Sequence, residues 1–456
     1  MSLITAERPA PRLAHINRAP FGAAEKWLLM LCIVLLGYAV DGRGFAYIGI
    51  RPLYIGELTL LIGTCVLLST RNWYGILWQP QTLMLVPFVG WGLCRTIPYL
   101  HRYHAFALRD AVVYGYSAFA VIVGGLLVAR PGRLYLLINW YKKFWKILLI
   151  CVPPVCFLFH FLGPHIPHWP GHGAPIIDEK EGDLLVHLGA IFAFWMLGWE
   201  ANITWPWVAL MAVDVAITAP ITRGGFVAFS MAAMVAIVVR PQRRTVGRLL
   251  LLAVFVLALL WASHVSIKVP GGKGRRLSFH QLVTNMESVT GNHRNHKLEA
   301  TKRWRLAWWH KIVDYTFFGK YFWTGKGYGI NLADSDGFQV LKNHALRSPH
   351  SVHMTMLARS GVPGLAIWIS LQLTYVASIL AAGYKSWRNG DAWWFNLFMW
   401  ILAYWAASMT NASFDVYLEG PMGGIWFWTV FGVGLGSLYL YRHQPDLLSR
   451  TGDVAA

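Results

Sequence analysis

Two stretches of this chain place a side chain that can handle protons or anions at the start of a helix. Ser348-Pro349-His350 precedes an apolar run and reads as a helix start, with Ser348 as the cap, Pro349 at the first helical position and His350 in the first turn. The free N–H groups and the helix dipole there disfavour an imidazolium, leaving a neutral imidazole that can accept a proton. They also attract phosphate. His353, three residues on, shares that face about one turn deeper. Taken alone, a histidine at the end of an apolar run is more often an interfacial residue than a catalytic one. The second stretch is Ala219-Pro220-Ile221-Thr222-Arg223-Gly224-Gly225, with Thr222 as a candidate cap and Arg223 in the first turn. A cation is unfavourable beside the positive end of a helix, so Arg223 needs another reason to be there. One reason is an anion held jointly by the guanidinium and the helix N-terminus, with Gly224 allowing close approach. The alternative is that Arg223 snorkels to lipid headgroups while the glycines pack helices.

Between these starts runs the one long polar segment, from Val265 to Ser351, with fourteen Lys and Arg against five Asp and Glu. It carries Lys302, Arg303 and Arg305, and it ends in Arg347 just before the Ser-Pro-His start. A basic segment of this kind suits an anionic ligand such as a phospholipid headgroup or a lipid-linked phosphate. Residues Lys297 to Val313 space Trp304, Trp308, Trp309 and Ile312 as on a helix. That helix either lies on the bilayer surface or packs the loop against the span ends. Gly325-Lys326-Gly327-Tyr328-Gly329 has no strand before it and is read as turn geometry, not a nucleotide loop. A helix break is expected near Ser360-Gly361-Val362-Pro363-Gly364, where a broken helix is tolerated if it lines a cavity. Glu57, His187 and Asp214 are the conspicuous ionisable residues inside apolar runs, as structural pairs or proton relays.

The elements that must position these residues are membrane helices. Of 456 residues 56% are hydrophobic and only 13% charged, which is too apolar for a soluble domain and makes this an all-α polytopic membrane protein. Apolar runs at 27–42, 53–69, 76–94, 108–128, 144–163, 184–198, 204–220, 223–239, 247–264, 352–382, 392–410 and 421–441 predict about twelve transmembrane helices. The expected organisation is a cytoplasmic tail at 1–26 leading into an uncleaved first span, nine helices in 27–264, the basic loop with amphipathic helices at 265–350, three helices in 351–441 and a second tail at 442–456. With both tails inside, inside segments hold 17 Lys and Arg and short outside segments 7. The long basic loop then falls outside, where its length exempts it from the rule. A shorter outside loop, 164–183, carries His165, His168 and His172 and ends in Asp178-Glu179-Lys180-Glu181. The net charge of +19 sits in short clusters between spans, which argues against nucleic acid, and no cysteine or carboxylate spacing suits a metal.

Thr222-Arg223-Gly224-Gly225, Arg305-Leu306-Ala307-Trp308-Trp309 leading to Gly325-Lys326-Gly327-Tyr328-Gly329, and His350-Ser351 followed by Met354, Leu357-Ala358, Gly361 and Gly364-Leu365 resemble the bacterial O-antigen ligase and O-antigen-type polysaccharide polymerase superfamily. The likeness covers roughly residues 205–382 as motif and the whole chain as topology. It implies a C-type glycosyltransferase (GT-C) fold in the inner membrane with its site facing the periplasm. There a saccharide passes from undecaprenyl diphosphate to an acceptor hydroxyl, on lipid A-core or on a second lipid-linked repeat unit, without metal, nucleotide sugar or other cofactor. By the same resemblance His350 is the essential histidine and Arg223 and Arg305 contact the donor diphosphate. Arg303 and Gly224 join them as donor-site candidates, with His353 and Arg347 as secondary ones. The chain departs from the family at Ser351, where Asn usually follows the histidine; that bears on hydrogen bonding around His350, not on its position. The rival class is a transporter or flippase of a lipid-linked substrate, which usually keeps ionisable residues near the bilayer midplane and pairs broken helices in two related halves. Here the candidate charges cluster at one face. Nothing in the sequence indicates the oligomeric state.

Overall fold

The computed structural model describes residues 21–50, 53–170, 173–200, 202–240 and 296–445, with 247, 262, 267–268 and 276–277. Nearly all of the expected span at 247–264, most of the first half of the basic loop, most of both tails and His172 lie outside the described residues. A helix stands at each of the other eleven predicted positions: α1 (Ala23–Asp41), α2 (Ile55–Ser69), α3 (Pro80–Tyr103), α4 (Ala118–Ala129), α5 (Gly132–Phe161), α6 (Glu181–Met196), α7 (Trp205–Thr218), α8 (Arg223–Val239), then α9 (His296–Phe317) in the basic loop, α10 (Val352–Arg388), α11 (Ala392–Phe414) and α12 (Pro421–His443). Strand is confined, among the described residues, to two hairpins of two-residue strands. Among the described residues six helical stretches are long and apolar enough to cross a membrane: α1, α3, Val112–Ala129, α5, α10 and α12. α2, α7 and α8 are apolar but shorter. The protein is thus a mostly helical, multi-pass membrane protein.

Helix α5 begins at Gly132, well before the apolar run at 144 that announced it, so Lys142 and Lys143 belong to a helix and not to a loop. No glycine or proline interrupts 133–152, and Arg133 is fixed at the helix start by its bond to Glu25.

Helix α6 is the axis of the packing. Every residue from Gly182 to Met196 is buried, so its apolar side chains face neighbours all round. It lies against α8 and α11, and α11 lies in turn against α10 and α12. At one end Glu25 accepts from Arg130 Nη1 and Arg133 Nε, both at 2.9 Å, and Arg240 donates to the Leu197 carbonyl at 2.8 Å. At the other end Arg43 pairs with Asp178 at 2.6 Å and His160 with Glu181 at 2.6 Å. The 19 residues of α1 separate these ends by about 28 Å. The starts of α6, α8, α10 and α12 and the ends of α1, α3, α5 and α11 share the second end, opposite the Arg130–Arg133–Arg240 end.

Helix α10 is broken as expected. Gly361 has φ 71° and ψ −174° inside an otherwise helical run, a left-handed region open to glycine, and a side chain there would collide with the Phe322 carbonyl. The break exposes backbone groups, and the basic loop satisfies them. Lys326 and Gly327 donate their N–H groups to the carbonyls of Ala358 and Arg359 at 2.7 and 2.9 Å, and Val362 N–H donates to Phe322 O at 2.8 Å. Gly325, Gly327 and Gly329 all have positive φ, which makes this motif a turn docked into a helix break. Below it the hydroxyls of Tyr114, Tyr328 and Ser360 form a buried triangle with 2.8 Å sides.

Of the three ionisable residues singled out inside apolar runs, Glu57 and His187 have close polar partners. Glu57 accepts from the Tyr116 hydroxyl at 2.8 Å and from the Tyr54 N–H at 3.2 Å, and His187 Nδ1 meets the Tyr404 hydroxyl at 2.6 Å. Asp214 is fully buried.

Candidate functional site

Helix α8 starts as its sequence predicts: Thr222 is the N-cap, its hydroxyl accepting from Gly225 N–H at 3.4 Å, and Arg223 is the first helical residue, half-buried. Gly224 lies against the end of α11, where an added Cβ would sit 3.4 Å from the Cβ of Phe414. Helix α9 spans the predicted 297–313. Its Trp308 and Ile312 are fully buried with Leu332, Ala333, Leu357 and Ala358, so the loop is packed against the first half of α10. Arg305 and Trp309, four residues apart, share one face of α9. Arg305 Nη1 donates to the Phe414 carbonyl at 2.7 Å, and Trp309 Nε1 donates to the Pro349 carbonyl at 2.8 Å. Arg303, two residues before Arg305 and so near the opposite side of α9, is exposed.

The start of α10 differs from its sequence reading. The helix begins at Val352 with Ser351 as N-cap, three residues later than Ser348-Pro349-His350 predicts, and Ser351 makes no side-chain cap bond. The Ser348 hydroxyl instead donates to Glu419 Oε1 at 2.8 Å, as does Thr355 Oγ1 at 2.7 Å. His350 sits in the turn before the helix with φ 56°, a left-handed conformation that costs free energy in a non-glycine residue and tends to occur at functional sites.

From that turn His350 Nδ1–H donates to Asp415 Oδ1 at 3.4 Å, and Lys180 Nζ pairs with Asp415 Oδ2 at 2.8 Å. Among the described residues Nε2 of His350 makes no hydrogen bond, and the side chain is 27% exposed. The ring therefore has one nitrogen oriented by a carboxylate and the other open to accept a proton. Burial works to raise the Asp415 carboxyl, but the Lys180 ammonium and the bonds from His350 and Lys180 outweigh it and hold that carboxyl well below the usual carboxylate range. Burial likewise works to lower Lys180, and Asp183 and Asp415 reverse it and raise Lys180. A depressed carboxyl contributes stability that is complete above its unfolded pKa and lost as pH falls through the folded one, so the pair is intact at neutral pH.

His353 is engaged differently. The Trp368 indole, a donor only, bonds its Nδ1 at 3.2 Å, which leaves Nε2–H to donate to Ser413 Oγ at 3.1 Å. Arg347 grips Asp110 with two bonds of 3.2 and 2.8 Å, and Arg359, 1% exposed, pairs with the same carboxylate at 3.0 Å. That cluster joins the loop to the short helix Ala105–Asp110 that follows α3 and to the break in α10.

The structure thus brings His350, Arg305 and the Arg223-Gly224 start of α8 around one dipeptide, Phe414-Asp415, at the end of α11. It keeps Arg303 on the outer side of α9 and commits Arg347 and His353 to packing partners. Sequence reasoning passed over Lys180, Asp415 and Glu419. The available signal was the polar close of the α11 run, Asn411-Ala412-Ser413-Phe414-Asp415, which is unusual beside so apolar a helix.

Residues 186–369 match the family described as O-antigen ligase. The matched segment runs from within α6 to the second half of α10 and supports the O-antigen ligase and polymerase superfamily for this part of the chain. It contains Arg223, Arg305 and His350, while Lys180, Asp415 and Glu419 lie outside it. No curated protein matches the chain.

Proposed function

We propose that this multi-pass membrane protein, with an O-antigen ligase region at its centre, is a glycosyltransferase of bacterial surface polysaccharide synthesis whose donor is a saccharide on undecaprenyl diphosphate. The observation that carries the reading is the convergence of a half-free imidazole, a guanidinium and an arginine-bearing helix start on Phe414-Asp415. An acceptor hydroxyl loses its proton to His350 Nε2 as its oxygen attacks the anomeric carbon. The bond from that carbon to the diphosphate oxygen breaks, and the leaving diphosphate takes the electron pair. Arg223, Arg305 and the N–H groups opening α8 meet the charge that develops there. Asp415 holds Nδ1–H, fixes the tautomer and stabilises the imidazolium, and Lys180 holds Asp415.

The lipid tail lies between spans, and the site faces the periplasm of the inner membrane. Support for that orientation comes from Arg130, Arg133 and Arg240, which cluster at the opposite end as cytoplasmic cations do. The C-type glycosyltransferase fold and about twelve spans belong to the same proposal. A transporter reading draws on the broken helix α10, but the backbone groups of that break are occupied by Phe322, Lys326 and Gly327, which leaves little there to coordinate an ion.

Arg223→Lys tests the donor site. A point charge cannot replace a guanidinium fork, so transfer is expected to fall about 10- to 100-fold in membranes holding equal amounts of protein; unchanged transfer removes Arg223 from the donor site. The acceptor is read from a deletion strain. Long lipid-linked chains beside bare lipid A-core identify a ligase, and accumulation of single repeat units identifies a polymerase.

A further inference from the structure

Residues Ser348-Pro349-His350 carry the signals of a helix start, yet the helix opens at Val352 and His350 stands in a left-handed turn before it. Trp309 holds the Pro349 carbonyl in this turn, and one carboxylate oxygen holds the residues on both sides of it. Glu419 Oε1 accepts from Ser348 Oγ on one side of the turn and from Thr355 Oγ1 on the other, and those two hydroxyl oxygens are themselves 3.1 Å apart. Ser348 and Thr355 are buried, at 4% and 3% exposure, so their hydroxyls must be satisfied within the protein. In a helix capped at 348 these two hydroxyls, seven residues apart, would stand roughly 10 Å apart along the axis, too far for one carboxylate oxygen to accept from both. The chain between the two hydroxyls must loop out, and His350 is the residue that takes positive φ. The same loop of the chain, between α11 and α12, brings Asp415 to the imidazole.

We propose that Glu419 is a positioning residue that diverts Ser348 from capping α10, and so keeps His350 in the turn where Asp415 and the substrate can reach it. Without this staple, Ser348 and Pro349 start the helix early, His350 winds into its first turn, and the ring leaves Asp415. The inference rests on the assignment of His350 as the base. It predicts an effect on the proton-accepting geometry and none on donor binding, because Arg305 is held by the Phe414 carbonyl and Arg223 stands at the start of α8, a different element.

The test uses the full-length protein in proteoliposomes, with the lipid-linked saccharide extracted from a deletion strain and its matching acceptor. Glu419→Ala is expected to lower kcat about 100-fold, the scale of an ångström-sized misplacement, at unchanged KM for the donor lipid. Glu419→Gln keeps the accepting oxygen and retains most of the activity. Adding Ser348→Ala to Glu419→Ala removes the competing cap and recovers roughly fivefold in kcat. Should Glu419→Ala fail to insert, Thr355→Val cuts one arm of the staple, and a fall in kcat at constant KM is expected. Wild-type kcat in Glu419→Ala or in Thr355→Val, Gln as poor as Ala, or a double variant below Glu419→Ala each overturns the proposal. Active His350→Ala protein sinks the base assignment itself, a separate result.

Discussion

His350→Ala protein is expected to insert at normal levels and to form no detectable polymer or ligated glycan, with transfer lowered about 10²- to 10⁴-fold. The side chain is 27% exposed and its one hydrogen bond among the described residues, to Asp415, is long at 3.4 Å, so its loss leaves the packing of α10 and α11 in place. What disappears is the nitrogen that receives the acceptor's proton. His353→Ala is the informative comparison: that ring is held between Trp368 and Ser413, and its loss loosens the contact between α10 and α11 without removing a base. Immunoblots of membranes beside a polysaccharide gel separate the two. Polymer at wild-type level in His350→Ala removes the base assignment.

Asp415→Asn is expected to retain the fold and lose most of the rate, again by about 10²- to 10⁴-fold. An amide still accepts from Nδ1–H but carries no charge to stabilise the imidazolium, and it takes from the Lys180 ammonium the carboxylate that lies 2.8 Å away. The loss falls on kcat, since Asp415 is read as acting through His350. The donor KM of the variant, measured in proteoliposomes, checks this. A variant with wild-type kcat limits Asp415 to holding two loops together.

These expectations depend on residues of unequal legibility. The Thr222 cap, the turn at Gly325–Gly329 and the break at Gly361 follow from local rules, in which a hydroxyl precedes an apolar run or glycine takes positive φ, and the structure has all three. The helix at 297–313 was legible from tryptophan spacing, but whether it lay on lipid or on protein depended on α10, which buries Trp308 and Ile312. Ser348 shows the limit of local rules. Its sequence signals an N-cap, and a carboxylate 71 positions away takes the hydroxyl instead. Asp415 and Lys180 stand 235 positions apart and meet only because α6 and α11 pack with the start of one beside the end of the other, which no periodicity in either helix announces. Arg303 and Arg305 look equivalent on paper. The face of α9 turned to Phe414 distinguishes them, and that face is set by Trp308 and Trp309 as they pack.

The most direct measurement is the fate of the lipid carrier. Purified protein in proteoliposomes, given the undecaprenyl diphosphate-linked saccharide and its acceptor, is predicted to release one undecaprenyl diphosphate for each glycosidic bond formed, and His350→Ala protein to release none. Passage of the intact lipid-linked saccharide to the other leaflet without release of undecaprenyl diphosphate would contradict the account.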